Sequence, residues 1–161
     1  MVIRAISAAA LVCGVLVSGC GSDDKPSAGK TTTTPSAAQS RAEKVIRGWA
    51  DALRGGDLKK AATYFAVPVT VSNSGTPLKL LTPAEVEFFN QTLPCGAKVT
   101  STKQISRGFT LATFELTERP GEGNCGTGTG NTARVAIRVK KGKITDWRRV
   151  GALPQVPQEK A

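Results

Sequence analysis

The sequence predicts a single α+β domain in which helices cover one face of a small antiparallel sheet. Three observations predict this class. Apolar residues recur at helical spacing up to about residue 93, and they alternate as in strands from about residue 97 to residue 150. The 161 residues suffice for one domain of ordinary size. Helices followed by a run of strands give an α+β domain rather than alternating α/β units.

The first predicted helix begins at Ser40, because a serine followed three residues later by Glu43 has the form of a capping box. Gly55-Gly56 ends this helix. Asp57 predicts the N-cap of a second, short helix that ends near Phe65. The residues at helical spacing that these helices bury are predicted to be Ala42, Val45, Ile46, Trp49, Leu53, Leu58, Ala61 and Ala62.

A strand and a third helix follow. Residues 67–72 alternate like a strand, and Pro68 predicts an edge position because proline donates no hydrogen bond to a neighbouring strand. After the short apolar run 78–81, Thr82-Pro83-Ala84-Glu85 combines a capping hydroxyl, proline at the first helical position and glutamate three residues after the cap. This combination predicts a helix that runs to about Thr92.

The remainder of the domain is predicted to consist of strands. The predicted strands span residues 97–106, 109–117, 132–140 and 143–150, with turns at Arg107-Gly108 and Lys141-Gly142. In the strand at residues 109–117, the side of the strand on which the apolar residues lie changes between Leu111 and Ala112, which predicts a bulge at that point.

The N-terminal residues predict export. Arg4 precedes a run of small and aliphatic residues, 5–17, which is shorter than the roughly 20 residues needed to span a bilayer and fits a signal peptide. Val17-Ser18-Gly19-Cys20 resembles the lipobox of bacterial lipoproteins, in which the cysteine becomes the acylated first residue. The resemblance implies a signal peptide at residues 1–19, a lipid anchor on Cys20 and a location on the outer face of the cell membrane. An ordinary signal peptide with an incidental cysteine, or an uncleaved anchor, is the alternative.

The rest of the chain divides by composition. Residues 20–40 contain no large apolar side chain, so we expect a lipidated N-terminus followed by a disordered linker. We expect the folded domain at residues 41–153 and a flexible tail at residues 154–161.

Charge and the absence of histidine limit the classes of function. Lys and Arg outnumber Asp and Glu by 22 to 12, a net charge of +10 that suits attraction to anionic surfaces and also serves solubility. The basic residues are scattered rather than arranged in a stripe, so no nucleic acid is expected as a partner. Without histidine there is no Ser-His or Cys-His pair, and we expect neither a metal site nor a cofactor.

A basic cluster at the last predicted hairpin suits contact with lipid phosphates, and a solvated hairpin tip is the simpler interpretation. The cluster consists of Lys140, Lys141, Lys143, Arg148 and Arg149.

Cys95 and Cys125 are predicted to form a disulfide. Outside the cytoplasm a pair of thiols is more often bridged than free, and the hairpin turn at Arg107-Gly108 places both cysteines at one end of the sheet. Closing a loop of this length adds roughly 3–4 kcal/mol in the chain-entropy description. A redox pair is disfavoured because the sequence contains no C-x-x-C.

Three segments resemble the nuclear-transport-factor-2-like family, also called ketosteroid-isomerase-like or SnoaL-like. They are residues 45–57 (VIRGWADALRGGD), 61–68 (AATYFAVP) and 142–147 (GKITDW). The resemblance implies a cone-shaped fold, in which about three N-terminal helices pack on a curved antiparallel sheet around an apolar cavity. The aromatic residues that are candidates for lining this cavity, with plain core as the alternative, are Trp49, Tyr64, Phe65, Phe88, Phe89, Phe114 and Trp147.

Enzymes of this family place an aspartate or histidine base inside the cone, opposite a hydrogen-bond donor. Here Asp57 and Glu85 are assigned to helix caps and Asp51 faces away from the apolar stripe, while the sequence does not fix the orientation of Glu115 or Asp146. No matched base and donor are evident, so we predict no catalytic residue.

Three functions compete on this basis. The favoured one is a lipid-anchored binding or accessory protein of the cell envelope that holds a small apolar ligand or another envelope protein. The alternatives are a cone-cavity isomerase, cyclase or hydrolase that uses a buried carboxylate, and an electrostatic binder of anionic envelope polymers. The sequence is also compatible with a homodimer.

Overall fold

The computed structural model describes residues 36–121 and 123–151. The predicted signal peptide, the anchor at Cys20 and residues 20–35 of the predicted linker lie outside these residues. The linker predicted at residues 37–40 was wrong, because these residues begin the first helix. The helices are α1 (Ala37–Arg54), α2 (Leu58–Thr63) and α3 (Pro83–Gln91). The strands are β1 (Phe65–Ser72), β2 (Leu78–Leu80), β3 (Gly96–Gln104), β4 (Phe109–Thr117), β5 (Thr132–Lys140) and β6 (Lys143–Val150).

The strands form one sheet in the order β2-β1-β6-β5-β4-β3. Neighbouring strands are antiparallel except β1 and β6, which run parallel. The α+β class is therefore confirmed, while the expectation of a wholly antiparallel sheet was wrong. A parallel pair needs a long connection, and the chain between β1 and β6 supplies one.

The first strand, β1, lies inside the sheet, between β2 and β6. The edge position predicted from Pro68 was therefore wrong. The strand pairs with β2 only at Val69–Val71, and its pairing with β6 is interrupted between Phe65 and Thr70. Pro68 falls in this interruption, so its missing N–H removes no hydrogen bond from either neighbour.

Helix α1 begins one turn earlier than predicted. Ser36 is the N-cap, and its Oγ accepts a hydrogen bond from the Gln39 N–H at 3.2 Å. The cap predicted at Ser40 was wrong because the good helix formers between Ser36 and Ser40 extend the helix. Glu43 consequently pairs with Arg47 at 2.7 Å instead of capping the helix.

The caps predicted for the other two helices are confirmed. Asp57 Oδ1 accepts from the Lys60 N–H at 2.9 Å at the beginning of α2. At α3, Thr82 Oγ1 accepts from the Glu85 N–H at 3.2 Å, and the Glu85 carboxylate accepts from the Thr82 N–H at 2.9 Å. These local signals worked because each cap satisfies backbone N–H groups that the helix itself leaves unpaired.

The predicted bulge lies in β3 rather than in β4. Thr100 is unpaired between Val99 and Ser101, while β4 keeps a continuous register with β5. The apparent phase shift has another cause, since Leu111 is half-buried on the outer face of the sheet and Ala112 is buried on the inner face.

The core fills the space between the helices and the inner face of the sheet, and Trp49 of α1 lies at its centre. The Trp49 ring makes edge contacts with Phe65, Phe114 and Trp147 at centroid distances of 5.9, 5.8 and 6.2 Å. Its Nε1–H donates to Asn90 Oδ1 of α3 at 2.8 Å, and both residues are almost fully buried. The hydrogen bond therefore joins α1 to α3 through an otherwise apolar core.

Candidate functional site

A disulfide closes one end of the fold. The structure contains the bridge predicted between Cys95 and Cys125, which joins the segment before β3 to the loop between β4 and β5. Glu118 holds the same loop, since its carboxylate accepts from Thr129 Oγ1 at 2.7 Å and from the Cys125 N–H at 3.3 Å. These hydrogen bonds keep the pKa of Glu118 below its ordinary value.

A cavity of about 80 Å³ opens beside this disulfide, between α1 and the inner face of the sheet. Eleven of its thirteen lining residues are apolar, and the other two are Asn73 and Arg149. Pockets for drug-sized ligands usually measure about 300–1,000 Å³, so this cavity has room only for a small group. Side chains therefore nearly fill the interior of the cone and leave a small apolar space at the disulfide end.

Two buried polar atoms among the lining residues have no hydrogen-bond partner in the described part of the chain. One is the donor Trp147 Nε1–H and the other is the acceptor Asn73 Oδ1. Buried polar groups in proteins are almost always hydrogen-bonded. A hydroxyl group entering the cavity offers an acceptor to the indole and a donor to the amide oxygen.

The cavity lining contains no carboxylate among the residues that the structure describes. Glu115 is exposed on β4. Asp146 lies on the outer face of the sheet, where it pairs with Arg138 and Arg148 at 3.3 Å each. The two orientations that the sequence left open are thus both away from the cavity.

Three of the seven aromatic residues predicted to line the cavity do so. They are Trp49, Phe114 and Trp147. Phe65 and Phe89 are buried in the core next to the cavity, with a centroid distance of 6.1 Å between their rings.

The remaining two candidates lie elsewhere. The Phe88 side chain is 65% exposed, because consecutive residues of a helix face different directions and Phe89 takes the inward position. Tyr64 lies against another face of α1, at Gly48, where an added Cβ would be 2.6 Å from the Tyr64 hydroxyl oxygen.

Sequence reasoning missed both polar lining residues. Arg149 follows Trp147 by two positions on β6, so strand alternation alone places both on one face. Asn73 follows the end of β1 and carried no comparable signal. Only the parallel pairing of β1 with β6 brings the end of β1 next to that of β6.

In residues 36–121 and 123–151, no group of three or more His, Cys, Asp or Glu side chains is arranged to hold a metal ion. None of the helices in the same ranges is both long and apolar enough to cross a membrane.

Several solved structures share this fold. A protein from Kribbella flavida described as a candidate ketosteroid isomerase is 17% identical, with a TM-score of 0.53 over 73% of this chain and 84% of that one. A nuclear-transport-factor-2-like protein of unknown function from Cytophaga hutchinsonii is 10% identical, with a TM-score of 0.52 over 73% of this chain and 92% of that one. A de novo designed protein with a curved β-sheet is 18% identical, with a TM-score of 0.52 over 69% of this chain and 84% of that one.

These similarities confirm the nuclear-transport-factor-2-like fold predicted from the three sequence segments. At such low identities they show the fold alone, and one fold hosts many unrelated functions. A scan against protein-family models and a search of curated proteins give no match.

Proposed function

We propose that this chain is a lipid-anchored binding protein of the cell envelope, whose cone cavity takes a small apolar ligand and performs no chemistry on it. The observation that carries the proposal is the cavity itself. Its described lining is apolar except for Asn73 and Arg149, and it includes no carboxylate that would act as a base.

The size and polarity of the cavity define the class of ligand. An engineered apolar cavity of about 150 Å³ binds benzene, so about 80 Å³ takes a shorter aliphatic group. The unpartnered donor of Trp147 and acceptor of Asn73 favour a ligand that carries one hydroxyl group. A short primary alcohol, or a chain end of that chemistry, meets both requirements.

Calorimetric titration with a short primary alcohol tests this assignment. Ala133→Leu adds three carbon atoms to the lining, so we expect it to abolish binding. Ala136→Leu, on the outer face of the same strand, adds the same volume away from the cavity and should keep the affinity. Undetectable binding to the unmodified protein, or equal binding to both variants, would refute the assignment.

The proposed location rests on Cys20 and is supported by the disulfide. Val17-Ser18-Gly19-Cys20 has the form of a lipobox, and disulfides form and persist mainly in oxidising compartments outside the cytoplasm. Two acyl chains on one cysteine would give stable anchoring where a single chain is marginal.

Mass spectrometry of the protein purified from membranes tests the anchor. We expect a chain that begins at residue 20, carries acyl chains on Cys20 and retains one internal disulfide. Cys20→Ser should release the protein from the membrane fraction. An intact leader, or a Cys20→Ser protein that still fractionates with membranes, contradicts the anchor without affecting the cavity assignment.

An enzyme acting in the cone is the second candidate, because the Kribbella flavida structure is described as a candidate ketosteroid isomerase. Such chemistry needs an acid or base beside the substrate. Turnover of a ketosteroid that Ala133→Leu abolishes would favour this candidate over the binding protein.

A further inference from the structure

A groove runs along a face of α1 different from the face that carries Trp49 toward the cavity. We call it the α1 groove. It consists of two adjoining depressions of about 810 and 500 Å³, whose linings share Lys44, Val45 and Gly142. One depression extends to Tyr64, and the other extends toward Ala38 near the beginning of the helix.

The floor of the α1 groove includes apolar side chains, and direct contacts join the elements that form it. Val45 and Val139 are half-buried in it. The Tyr64 ring packs directly on α1 where Gly48 leaves space, since a Cβ at that position would come within 2.6 Å of it. Lys143 Nζ donates to a backbone carbonyl at the end of α2, which ties the β5–β6 hairpin to the helices.

The rim of the α1 groove carries a positive charge that the protein does not neutralise. Arg41, Lys44 and Lys141 are exposed and form no ion pair with any described residue. The two acidic residues in the lining are already paired: the ion pairs are Glu43–Arg47 at 2.7 Å and Asp51–Arg54 at 2.8 Å. Three unpaired cations on one rim suit an anionic partner.

The α1 groove lies at the end of the domain where the chain leads toward Cys20. Ala38 lines the groove and is two residues from Ser36, and fifteen residues lie between Ser36 and Cys20. The sixteen Cα–Cα steps from Cys20 to Ser36 span at most about 55 Å even when the chain is fully extended. An acylated Cys20 would therefore keep the beginning of α1 within about 55 Å of the bilayer surface.

We propose that the α1 groove is a docking surface for an anionic phospholipid bilayer, with Arg41, Lys44 and Lys141 contacting the headgroup phosphates. The orientation toward the membrane rests on the proposed anchor, whereas the binding surface itself does not. Each basic residue near an anionic bilayer strengthens partitioning about fivefold. Together the three rim cations contribute about a hundredfold, an attraction that added salt weakens.

Vesicle sedimentation tests the docking surface without the anchor. The protein is the processed chain, residues 20–161, carrying Cys20→Ser, and the vesicles are phosphatidylcholine with or without phosphatidylglycerol. We expect salt-sensitive binding only to vesicles that contain phosphatidylglycerol. Combining Arg41→Gln, Lys44→Gln and Lys141→Gln should reduce that binding about a hundredfold.

A control variant removes the same charge elsewhere. Lys79 is exposed on β2, and Lys98 and Lys103 are exposed on the face of the sheet opposite the helices. Their joint replacement by glutamine should change binding by less than about threefold if docking is local to the groove. Equal losses in the two variants would show that net charge alone drives binding and would overturn the proposal.

Other outcomes also overturn it. Equal binding to vesicles without phosphatidylglycerol, or no binding to either kind, excludes an anionic bilayer as the partner. Self-association without vesicles that the groove variant abolishes would identify a second copy of the chain as the occupant. The tested chain lacks the acylation site, so the vesicle experiment tests the docking surface alone. A negative result would therefore leave the proposed anchor at Cys20 unaffected.

Discussion

At the scale of single residues, the hydrogen bond between Trp49 and Asn90 shows how one polar pair fixes an apolar core. Asn90 is fully buried, accepts from the indole N–H and donates to the Val86 carbonyl at 2.8 Å. The sequence predicted that Trp49 is buried, because it follows helical spacing. It gave no reason to bury Asn90, since an asparagine in a helix usually faces solvent.

Asn90→Leu should lower the free energy of unfolding by about 1–3 kcal/mol, because it leaves the buried Trp49 N–H without an acceptor. Urea unfolding measures this. In a Trp49→Phe background, which has no indole N–H, the same replacement should cost clearly less. Equal costs in the two backgrounds would show that the hydrogen bond contributes nothing measurable.

The titration of Glu43 is expected to make the stability of the fold depend on pH. Its hydrogen bonds with Arg47 and Thr102 lower the pKa of the carboxyl from its ordinary value of 4.5. A lowered folded-state pKa adds stability that is present above the unfolded-state pKa and is lost as the pH falls through the folded-state value.

Stability should therefore fall on acidification from about pH 6 to about pH 3, and Glu43→Gln should reduce that fall. Urea unfolding at the two pH values measures the difference. Glu115→Gln, at an exposed position on β4, is the control with the same charge change. If Glu43→Gln and Glu115→Gln give the same pH dependence, the hydrogen bonds of Glu43 do not influence its titration in the folded state.

At the scale of elements, sequence signals were reliable where they act locally. Thr82 and Asp57 cap their helices because each side chain bonds a backbone N–H three residues along. Strands β4, β5 and β6 have the predicted bounds, since alternation and tight turns define them locally. The bulge at Thr100 and the interior position of β1 depend on which strands become neighbours, so the local pattern did not contain them.

Gly56 joins α1 to α2 in a conformation that glycine alone adopts readily. Its φ is +76°, and an added Cβ would lie 2.8 Å from the Pro120 carbonyl oxygen. Gly56→Ala should therefore cost at least about 2 kcal/mol, the sum of left-handed strain and this close contact. The midpoint of urea unfolding measures the cost.

Gly75 is the matched control for that substitution. Its φ is +84°, and an added Cβ would meet nothing within 4 Å. Gly75→Ala should therefore cost only the left-handed strain, about 1 kcal/mol. If Gly56→Ala were no more destabilising than Gly75→Ala, the contact with Pro120 would not restrict the turn.

At the scale of the whole molecule, the cone-shaped fold and its disulfide could be predicted from the sequence, whereas the shape of the cavity could not. The pairing of Cys95 with Cys125 followed from the hairpin register between them. The cavity is bounded by side chains from helices, strands and the disulfide, which are distant in sequence. Its volume and its two polar lining residues follow only from the packed arrangement.

The two proposed binding functions use two separate surfaces of the domain. The cavity beside the disulfide, which is largely apolar, is the proposed ligand site, whereas the α1 groove, which is cationic at its rim, is the proposed membrane-docking surface.

The indole N–H resonances of the ¹⁵N-labelled protein test the cavity assignment most directly. The chain has two tryptophans, and Trp49 Nε1–H already has its acceptor while Trp147 Nε1–H has none in the described residues. Titration with a short primary alcohol should shift the Trp147 resonance saturably, move that of Trp49 less, and have no effect in Ala133→Leu. A Trp147 resonance that stays in place, or that shifts equally in Ala133→Leu, would contradict a ligand site in the cone.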